Sequence, residues 1–420
     1  MTQEVAYESL PFAIRAELHE SAGDHIEASN VDLERNLDLL AHHYWLSHND
    51  DKKRRYLRLA GEAAQAKYAN HAATDYLERL VPLLEEPDRP DVLLRLGNVL
   101  GLVAEWERAQ ATYEEALALS RDAGDVAGQA WAETYLGDLN RVRGEFDASA
   151  TWLDRAESGF EATSDDVGRG RVLQIAGTLA AMRGDFETAG TKWQSSLEIR
   201  RRLGDKPNEG ELVNNLAVMT FHMGDYEGAC ELYEMAVALQ REVGDKRRIA
   251  LTLMNLGNVL DKLGETDRAG EILEESLALW YEVGERFGLW MTLGNLGNVR
   301  RAQGRIESAA ALLGEGLRIA RDTGERSPYL ADLLENIAIL GGRAGHHEVS
   351  VKLDEAAIAF RNEIGAPRGS GDEEEIASAL AESRTAVGVD ESELREQGKR
   401  LDVSEATALA FALCEELADG

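Results

Sequence analysis

The feature that most constrains this chain is a set of three glycine columns in one register. Gly97 and Gly137 lie 40 residues apart, and the same spacing recurs along the chain. The first column is Gly97, Gly137, Gly177, Ala217, Gly257 and Gly297; the second is Gly144, Gly184, Gly224, Gly264 and Gly304; the third is Gly124, Gly204, Gly244, Gly284 and Gly324. A fixed period of this length indicates a repeat architecture in which each unit packs only on its neighbours.

Each column has a distinct place in a predicted helix-turn-helix unit. Glycine inside a helix costs about 1 kcal/mol relative to alanine, so the first column predicts that another helix approaches closely there. The second column, as at Gly184 and Gly224, is predicted to end the first helix at a turn with positive φ. The acidic residue that follows, Asp185 or Asp225, suits the N-terminus of the next helix. The third column is predicted to end the second helix.

Between these turns the apolar residues have helical spacing. Leu253, Leu256 and Leu260 fall on one face of a first helix, and Leu273 and Leu277 on one face of a second. Small and aromatic residues are predicted to keep the crossing of the two helices tight: Ala109, Ala189, Ala229, Ala269 and Ala309, with Tyr113, Trp193 and Tyr233. The pattern therefore predicts an all-α fold.

The unit resembles the tetratricopeptide repeat. The resemblance is carried by the Leu-Gly pair of the first helix, the small residue early in the second helix, the aromatic residue four positions later, and Ala116 or Ala236 three after that. The unit is longer than the common length of about 34 residues, as in variants with extended helices. The resemblance covers about residues 85–365 and implies a right-handed superhelical solenoid of helix-turn-helix repeats.

Four segments are predicted along the chain. Residues 1–50 form an N-terminal helical segment, and residues 51–365 form an array of about seven to eight repeats. Residues 366–376, rich in glycine and acidic residues, are predicted to be a linker. Residues 377–420 form a helical tail.

The two ends carry further motifs. The first 50 residues contain SLP and later LAHHY, and the last 60 contain EIGAP at 363–367 and GKRL at 398–401. These motifs resemble those that flank the helical sensor region of STAND-type signalling ATPases and of cyclase-linked or transcriptional regulators. The resemblance implies a partner ATPase, cyclase or DNA-binding domain, in cis or in trans. The chain itself contains no GxxxxGK[ST] motif that could cradle a phosphate.

Charge and composition argue against several function classes. The formal net charge of −32 disfavours direct binding to nucleic acid. No apolar stretch reaches the length of a membrane span, the start lacks a signal-peptide pattern, and two isolated cysteines suit a reducing compartment, so we expect a cytoplasmic protein.

No catalytic or cofactor motif stands out in the sequence. The adjacent pairs His42-His43 and His346-His347 do not predict a metal site, because neighbours on a helix do not face each other. No pair of acidic residues and no Ser/His/Asp arrangement indicates acid–base or nucleophilic catalysis. We therefore expect a non-enzymatic protein without a cofactor.

The candidate site is a series of asparagines. Asn215, Asn255 and Asn295 lie two residues before the first glycine column, and Asn258 and Asn298 lie one residue after it. Residues three apart share a helical face, and asparagine is a poor mid-helix residue, so the recurrence needs a cause. The resemblance implies that this face lines a concave groove and holds the backbone of an extended peptide. Alternatively, the amides hydrogen-bond between neighbouring repeats.

Five other residues are predicted on or near that face: Arg141, His222, Met254, Lys262 and Arg301. They would give a partly basic groove suited to an acidic or carboxylate ligand, although scattered solvent charges remain the simpler interpretation. The first functional hypothesis is a protein- or peptide-binding scaffold in a signalling system. The alternative is a small-molecule sensor whose helix packing shifts when ligand binds.

Overall fold

The fold is described from a computed structural model. The structure describes residues 7, 9–29, 33–67, 69–324, 326–368 and 370–419. The chain divides into two compact units, residues 1–203 and 204–420, and each is described by itself. Every regular element among the described residues is a helix, so the predicted all-α fold class is confirmed.

The first unit consists of antiparallel helices packed in consecutive pairs. They are α1 (Phe12–Ala28), α2 (Leu37–Trp45), α3 (Asp50–Ala66), α4 (Asn70–Leu80), α5 (Arg89–Leu102), α6 (Trp106–Asp122), α7 (Val126–Val142), α8 (Phe146–Thr163), α9 (Asp166–Met182) and α10 (Phe186–Leu203). Short 3-10 turns lie at Leu33–Asn36, Val81–Leu83 and Glu86–Asp88.

The second unit continues the same pairing. Its paired helices are α11 (Lys206–His222), α12 (Tyr226–Val243), α13 (Lys246–Lys262), α14 (Thr266–Val283), α15 (Arg286–Ala302), α16 (Ile306–Asp322), α17 (Pro328–Arg343) and α18 (His347–Glu363). The tail contains α19 (Ser370–Ala379), α20 (Ala381–Val387), a 3-10 turn (Gly388–Asp390), α21 (Glu391–Arg400) and α22 (Val403–Ala418). We call the first helix of each pair helix A and the second helix B.

The predicted turns form, and the glycines in them adopt positive φ. Gly224 ends the turn after α11 with φ 83°, and Gly244 caps α12 with φ 79°. Asp225, which follows the first of these glycines, accepts a hydrogen bond from the backbone N–H of Gly228 at 2.9 Å. The turn chemistry read from the sequence is therefore confirmed.

The first glycine column marks the close crossing of helix A and helix B. A Cβ atom added to Gly257 would lie 2.5 Å from Cγ of Leu273, and one added to Gly177 would lie 2.6 Å from the Trp193 ring. Both distances are well inside van der Waals contact, so the recurrent small residue lets the two helices meet. The predicted close approach is confirmed.

The C-terminal tail differs from the sequence prediction. Helix α19 begins at Ser370, so much of the predicted linker 366–376 is helical. The glycines and acidic residues indicated a break, but Ile376 is buried against Ile339 and draws the segment onto α17. Helix α22 packs on α16, α17 and α18, and its residues belong to the hydrophobic core of the second unit. The tail is therefore part of this unit rather than a separate domain.

A buried ionic network fixes the chain where the array meets the tail. The carboxylate of Glu335 accepts hydrogen bonds from Arg361 and Arg368, both at 2.8 Å. Arg368 also contacts Asp354 at 2.6 Å, and Asp354 accepts a further bond from Arg384 at 2.8 Å. Glu335 and Asp354 are almost fully buried, so every carboxylate oxygen needs such a partner.

Polar contacts hold the N-terminal helix α1 on α2 and α3. Lys52 pairs with Asp24 at 2.5 Å and with Glu27 at 2.7 Å. Nδ1 of His19 lies 2.9 Å from Nδ1 of His43. One of these two nitrogens must carry the proton and the other must accept it, so the contact requires a neutral acceptor ring.

We expect the packing of α1 to weaken as the pH falls from 7 to 5. Burial lowers the pKa of His19 and of His43, and the neighbouring charge of His42 lowers both further. Below the usual pKa of about 6.5 the unfolded segment therefore binds more protons than the folded one, and folding loses stability. Asp24 titrates in a more acidic range, because hydrogen bonds from Lys52 and Tyr44 lower its pKa. The measurement is hydrogen exchange of α1 amides, corrected for intrinsic rates.

The matched control is the double variant His19→Gln/His43→Gln. It keeps a polar side chain at both positions and removes the titrating groups, so its α1 exchange should not depend on pH between 7 and 5. An equal pH dependence in both proteins would refute the role of the histidine pair.

Candidate functional site

The predicted asparagines lie on helix A of three successive pairs in the second unit. Asn215 is on α11, Asn255 and Asn258 are on α13, and Asn295 and Asn298 are on α15. A sixth, Asn336 on α17, lines the same cleft as Asn295. The sequence comparison missed it because one inserted residue places it 41 rather than 40 residues after Asn295. We call these six residues the asparagine row.

The side chains of the asparagine row lack hydrogen-bond partners among the described residues. Nδ2 of Asn295 and Oδ1 of Asn298 are fully shielded and still unpaired. Two asparagines outside the row are paired: Asn140 donates to the Leu136 carbonyl at 2.7 Å, and Asn214 accepts from Thr252 at 3.2 Å. Asn98, at the corresponding position of α5, is exposed and has no described partner either. Buried polar atoms are normally paired, so the shielded Nδ2 of Asn295 and Oδ1 of Asn298 are exceptions to that rule.

The alternative interpretation requires hydrogen bonds between neighbouring repeats. Asn214 of α11 forms such a bond to Thr252 of α13, but it lies outside the row. Within the described residues the side chains of the row form none. Among the described residues, the inter-repeat hydrogen bonding that the alternative requires is therefore found at Asn214 and not at the row.

Three of the five buried polar side-chain atoms on α15 that lack a partner among the described residues lie on one face of the helix. They are Nδ2 of Asn295, Oδ1 of Asn298 and Nε of Arg301, at three-residue intervals on one helical face. A donor, an acceptor and a donor in this order complement the C=O and N–H groups of a peptide main chain. These three residues are only partly buried, so rotation of the side-chain torsions can bring the polar groups to the surface.

Clefts lie at both ends of the row. One of about 50 Å³ is lined by Asn295, Asn336, Trp290, Tyr329 and Asp332 among others. The other, of about 250 Å³, is lined by Asn215 together with Glu211, Arg247, Arg248 and Leu251 among others. Both combine apolar surface with side-chain hydrogen-bonding groups.

The C-terminal ends of α13, α15 and α17 carry a charged cluster. Lys262 pairs with Glu375 of the tail helix α19 at 2.8 Å, and Arg343 donates to the backbone carbonyl of Arg301 at 3.4 Å. Burial lowers the pKa of Arg301, and the charge of Arg343 lowers it further. Burial raises the pKa of Asp261, while the charges of Arg301 and Lys262 oppose that rise. We call Lys262, Arg301 and Arg343 the basic end of the site.

The structure does not bring all the predicted residues into this site. The prediction for Met254 is wrong, because its side chain is only 6% exposed and packs in the hydrophobic core. One residue before Asn255, it lies about 100° round the helix and faces inward. Arg141 lies on α7 in the first unit and pairs with Asp138 at 2.7 Å. His222 is exposed at the end of α11, with its ring edge-on to Phe221.

Two kinds of feature are missing from the described residues. Their His, Cys, Asp and Glu side chains form no group of three or more that could hold a metal ion. None of the helices in this part of the chain has the length and apolar character needed to cross a membrane.

Known families match the chain in two places. Residues 210–282 and residues 92–127 each match a family model described as tetratricopeptide repeat. The first match contains the asparagines of α11 and α13. No curated protein matches the chain by sequence.

Solved structures match its fold at low identity. A signal transduction ATPase with numerous domains (STAND) from Pyrococcus horikoshii, with a tetratricopeptide repeat sensor, is 16% identical over 96% of this chain and 54% of its own, with a TM-score of 0.58. The chain thus spans about half the length of that protein. The apo quorum sensor NprR from B. thuringiensis is 16% identical over 82% of this chain and 97% of its own, with a TM-score of 0.55.

A Rap protein complexed with competence and sporulation factor is also similar. It is 16% identical over 89% of this chain and 99% of its own, with a TM-score of 0.54. At these identities the likeness shows the fold alone. Residues 92–127 and 210–282 thus match tetratricopeptide repeats, and the 40-residue period and the stacked helix pairs show that the chain has a tetratricopeptide repeat fold.

Proposed function

We propose that the chain is a non-enzymatic scaffold whose asparagine row binds an extended protein segment through the main chain of that segment. The observation that carries the proposal is the absence of hydrogen-bond partners for the row among the described residues. In this proposal the chain serves as the sensor or regulatory part of a STAND-type ATPase, cyclase or transcription-regulator system.

The spacing of the row suits an extended main chain. Helix A of neighbouring pairs is in direct contact, as the Thr252–Asn214 bond shows for α13 and α11. Packed helices lie about 8–10 Å apart, and an extended strand rises about 3.3 Å per residue. One amide of the row would therefore meet about every third residue of a bound segment. Contacts to the main chain give affinity without strict choice of side chains.

Proteins of similar fold support the proposal. The Rap structure holds competence and sporulation factor, NprR is a quorum sensor, and the Pyrococcus horikoshii protein uses its tetratricopeptide repeats as a sensor. Each of these functions is one of recognition. We extend recognition to this chain on the strength of the unpaired amides rather than of the low identity.

A small-molecule sensor is the second candidate function. The cleft between α15 and α17 combines two aromatic side chains, Trp290 and Tyr329, with the amides of Asn295 and Asn336. Its volume of about 50 Å³ is far below the usual range of about 300–1,000 Å³ for ligand pockets, so a ligand would have to shift the packing of α15 against α17 to enter. A metabolite that binds there would raise the melting temperature by mass action, so a thermal-shift screen tests this candidate.

The triple variant Asn255→Ala/Asn295→Ala/Asn298→Ala tests the main proposal. We expect peptides selected from a random display library on the full chain to bind the variant about 10- to 100-fold more weakly, because each hydrogen bond contributes about 1 kcal/mol. We expect the stability of the variant to stay equal or rise, since alanine favours the helix by about 0.5 kcal/mol per site and the lost amides had no partners. Fluorescence anisotropy and urea denaturation give the two measurements.

The matched control is Asn140→Ala on α7, outside the row and its clefts. This substitution removes the hydrogen bond from Asn140 to the Leu136 carbonyl and should leave peptide affinity unchanged. Unchanged affinity of the triple variant would contradict the proposal. A clear loss of stability in the triple variant would show instead that the amides are structural.

A further inference from the structure

An acidic segment of the chain itself occupies the basic end of the site. Helix α19, which begins at Ser370, contains a run of three glutamates, 373–375, and the last of them contacts Lys262 although 113 residues separate the two. The charge of Glu375 also acts on Arg301 and on Asp261.

The apolar contacts of α19 are few and separate from the main core. Ile376 of α19 and Leu380, the residue directly after this helix, pack on Ile339 of α17 in a small cluster of their own. The Lys262–Glu375 pair is exposed, with side-chain exposures of 43% and 67%, and exposed ion pairs contribute little to stability. The helix therefore lies on the array through a small area that a competing segment can replace.

Buried ion pairs hold the chain on both sides of α19. Before it, Arg368 contacts the buried carboxylates of Glu335 and Asp354 at 2.8 and 2.6 Å. After it, Arg384 contacts Asp354 at 2.8 Å. Detachment of α19 therefore leaves both ends of the segment fixed. Because the chain on both sides of α19 stays attached, the effective concentration of α19 at the basic end remains high. The helix therefore rebinds when the basic end is free.

We infer that α19 is a resident ligand of the basic end, and that the protein partner of this scaffold carries an acidic amphipathic helix that displaces it. This inference rests on the proposed function and names the partner class. The sequence pattern that the partner helix needs can be read from the tail. It has a carboxylate at the position equivalent to Glu375 and apolar residues at the positions equivalent to Ile376 and Leu380, which share one helical face.

The basic end adjoins the asparagine row. Arg301 follows Asn298 by three residues on α15, so the two side chains lie on the same face. A partner helix bound at the basic end can therefore continue into an extended segment along the row. The chain as a whole carries a net charge of −32 and repels acidic proteins at long range. The negative charge of the partner helix must therefore be recognised at short range, by the cations of the basic end.

The test uses a fluorescent synthetic peptide of residues 370–387 and the full chain at about 150 mM salt, where the screening length is about 8 Å. In the variant Ile376→Asp/Leu380→Asp the resident helix is released, and the peptide should bind at least tenfold more tightly than to the unmodified chain. Adding Lys262→Glu to the released variant should weaken binding about tenfold. A peptide with Glu375→Lys should recover that loss, because it restores the opposite charges.

Equal affinity of the unmodified and released chains would overturn the inference, as would a Lys262→Glu variant that binds the peptide normally. If the released variant does not fold by circular dichroism, Glu375→Lys in the full chain replaces it. Hydrogen exchange of residues 370–380 should then be faster than in the unmodified chain, and unchanged exchange would likewise overturn the inference.

The outcome is separable from that of the proposed function. Library peptides report on the asparagine row through the triple asparagine variant, whereas the tail peptide reports on the basic end through Lys262. If library peptides bind in a way that depends on the asparagines but the tail peptide does not bind as expected, only the inference about α19 is rejected. If the tail peptide binds as expected but library peptides do not depend on the asparagines, the proposed function of the row is rejected and the inference about the basic end stands.

Discussion

Replacing Glu335 with alanine is expected to lower the free energy of unfolding of the second unit by about 3–5 kcal/mol. The Glu335 side chain is only 4% exposed and accepts hydrogen bonds from Arg361 and Arg368, which are 9% and 8% exposed. Although burial lowers the pKa of Arg361, its contacts with Glu335 and Asp332 raise it overall, so the guanidinium stays charged. Without the carboxylate, two buried cations lose their shared partner.

The measurement is urea denaturation monitored by hydrogen exchange of α17 and α18, which separates this part of the chain from the rest. The control is Glu275→Ala, which removes one partner of an exposed pair with Arg241 and should cost less than about 1 kcal/mol. If Glu335→Ala costs no more than this control, the buried network does not hold the tail in place.

Replacing Leu273 with alanine is expected to cost about 2–5 kcal/mol. Leu273 is fully buried on α14 and lies against Gly257 of α13, where the two helices cross. Adding Gly257→Ala should then recover about 1 kcal/mol or more. The new methyl group occupies part of the cavity, and alanine favours the helix by about 1 kcal/mol over glycine.

Gly257→Ala alone should give no such gain, because its Cβ atom would lie 2.5 Å from the Leu273 side chain. Urea denaturation of the four proteins in this double-mutant cycle measures the coupling. Met223→Ala serves as the control for a large apolar residue that is 70% exposed, and it should cost less than about 0.5 kcal/mol. If the changes in the free energy of unfolding for the substitutions at 257 and 273 simply add in the double variant, the contact between these two residues is contradicted.

Much of the fold could be predicted because its determinants are local. A glycine such as Gly224 must adopt positive φ at a turn, and Gly257 must be small where a helix crosses. The same small residues are required at the same positions of successive units, so they appear in a single sequence as columns with a 40-residue period. The positions of the asparagines on helix A followed from the same register.

The rest depended on contacts that the period does not encode. The inserted residue before α18 concealed Asn336, and Met254 faces inward although it adjoins Asn255. The tail was predicted to begin with a linker, because the packing of Ile376 on Ile339 joins residues 37 positions apart in sequence. Such pairings depend on the folded surface that receives the segment, so local composition gave the wrong boundary.

The most direct test of the account is a crystal structure of the full chain with a library-selected peptide. The account predicts an extended peptide along helix A of α13, α15 and α17, with its main chain bonded to the amides of Asn255, Asn295 and Asn298. A peptide bound elsewhere, with those amides still without contact to it, would contradict the central claim.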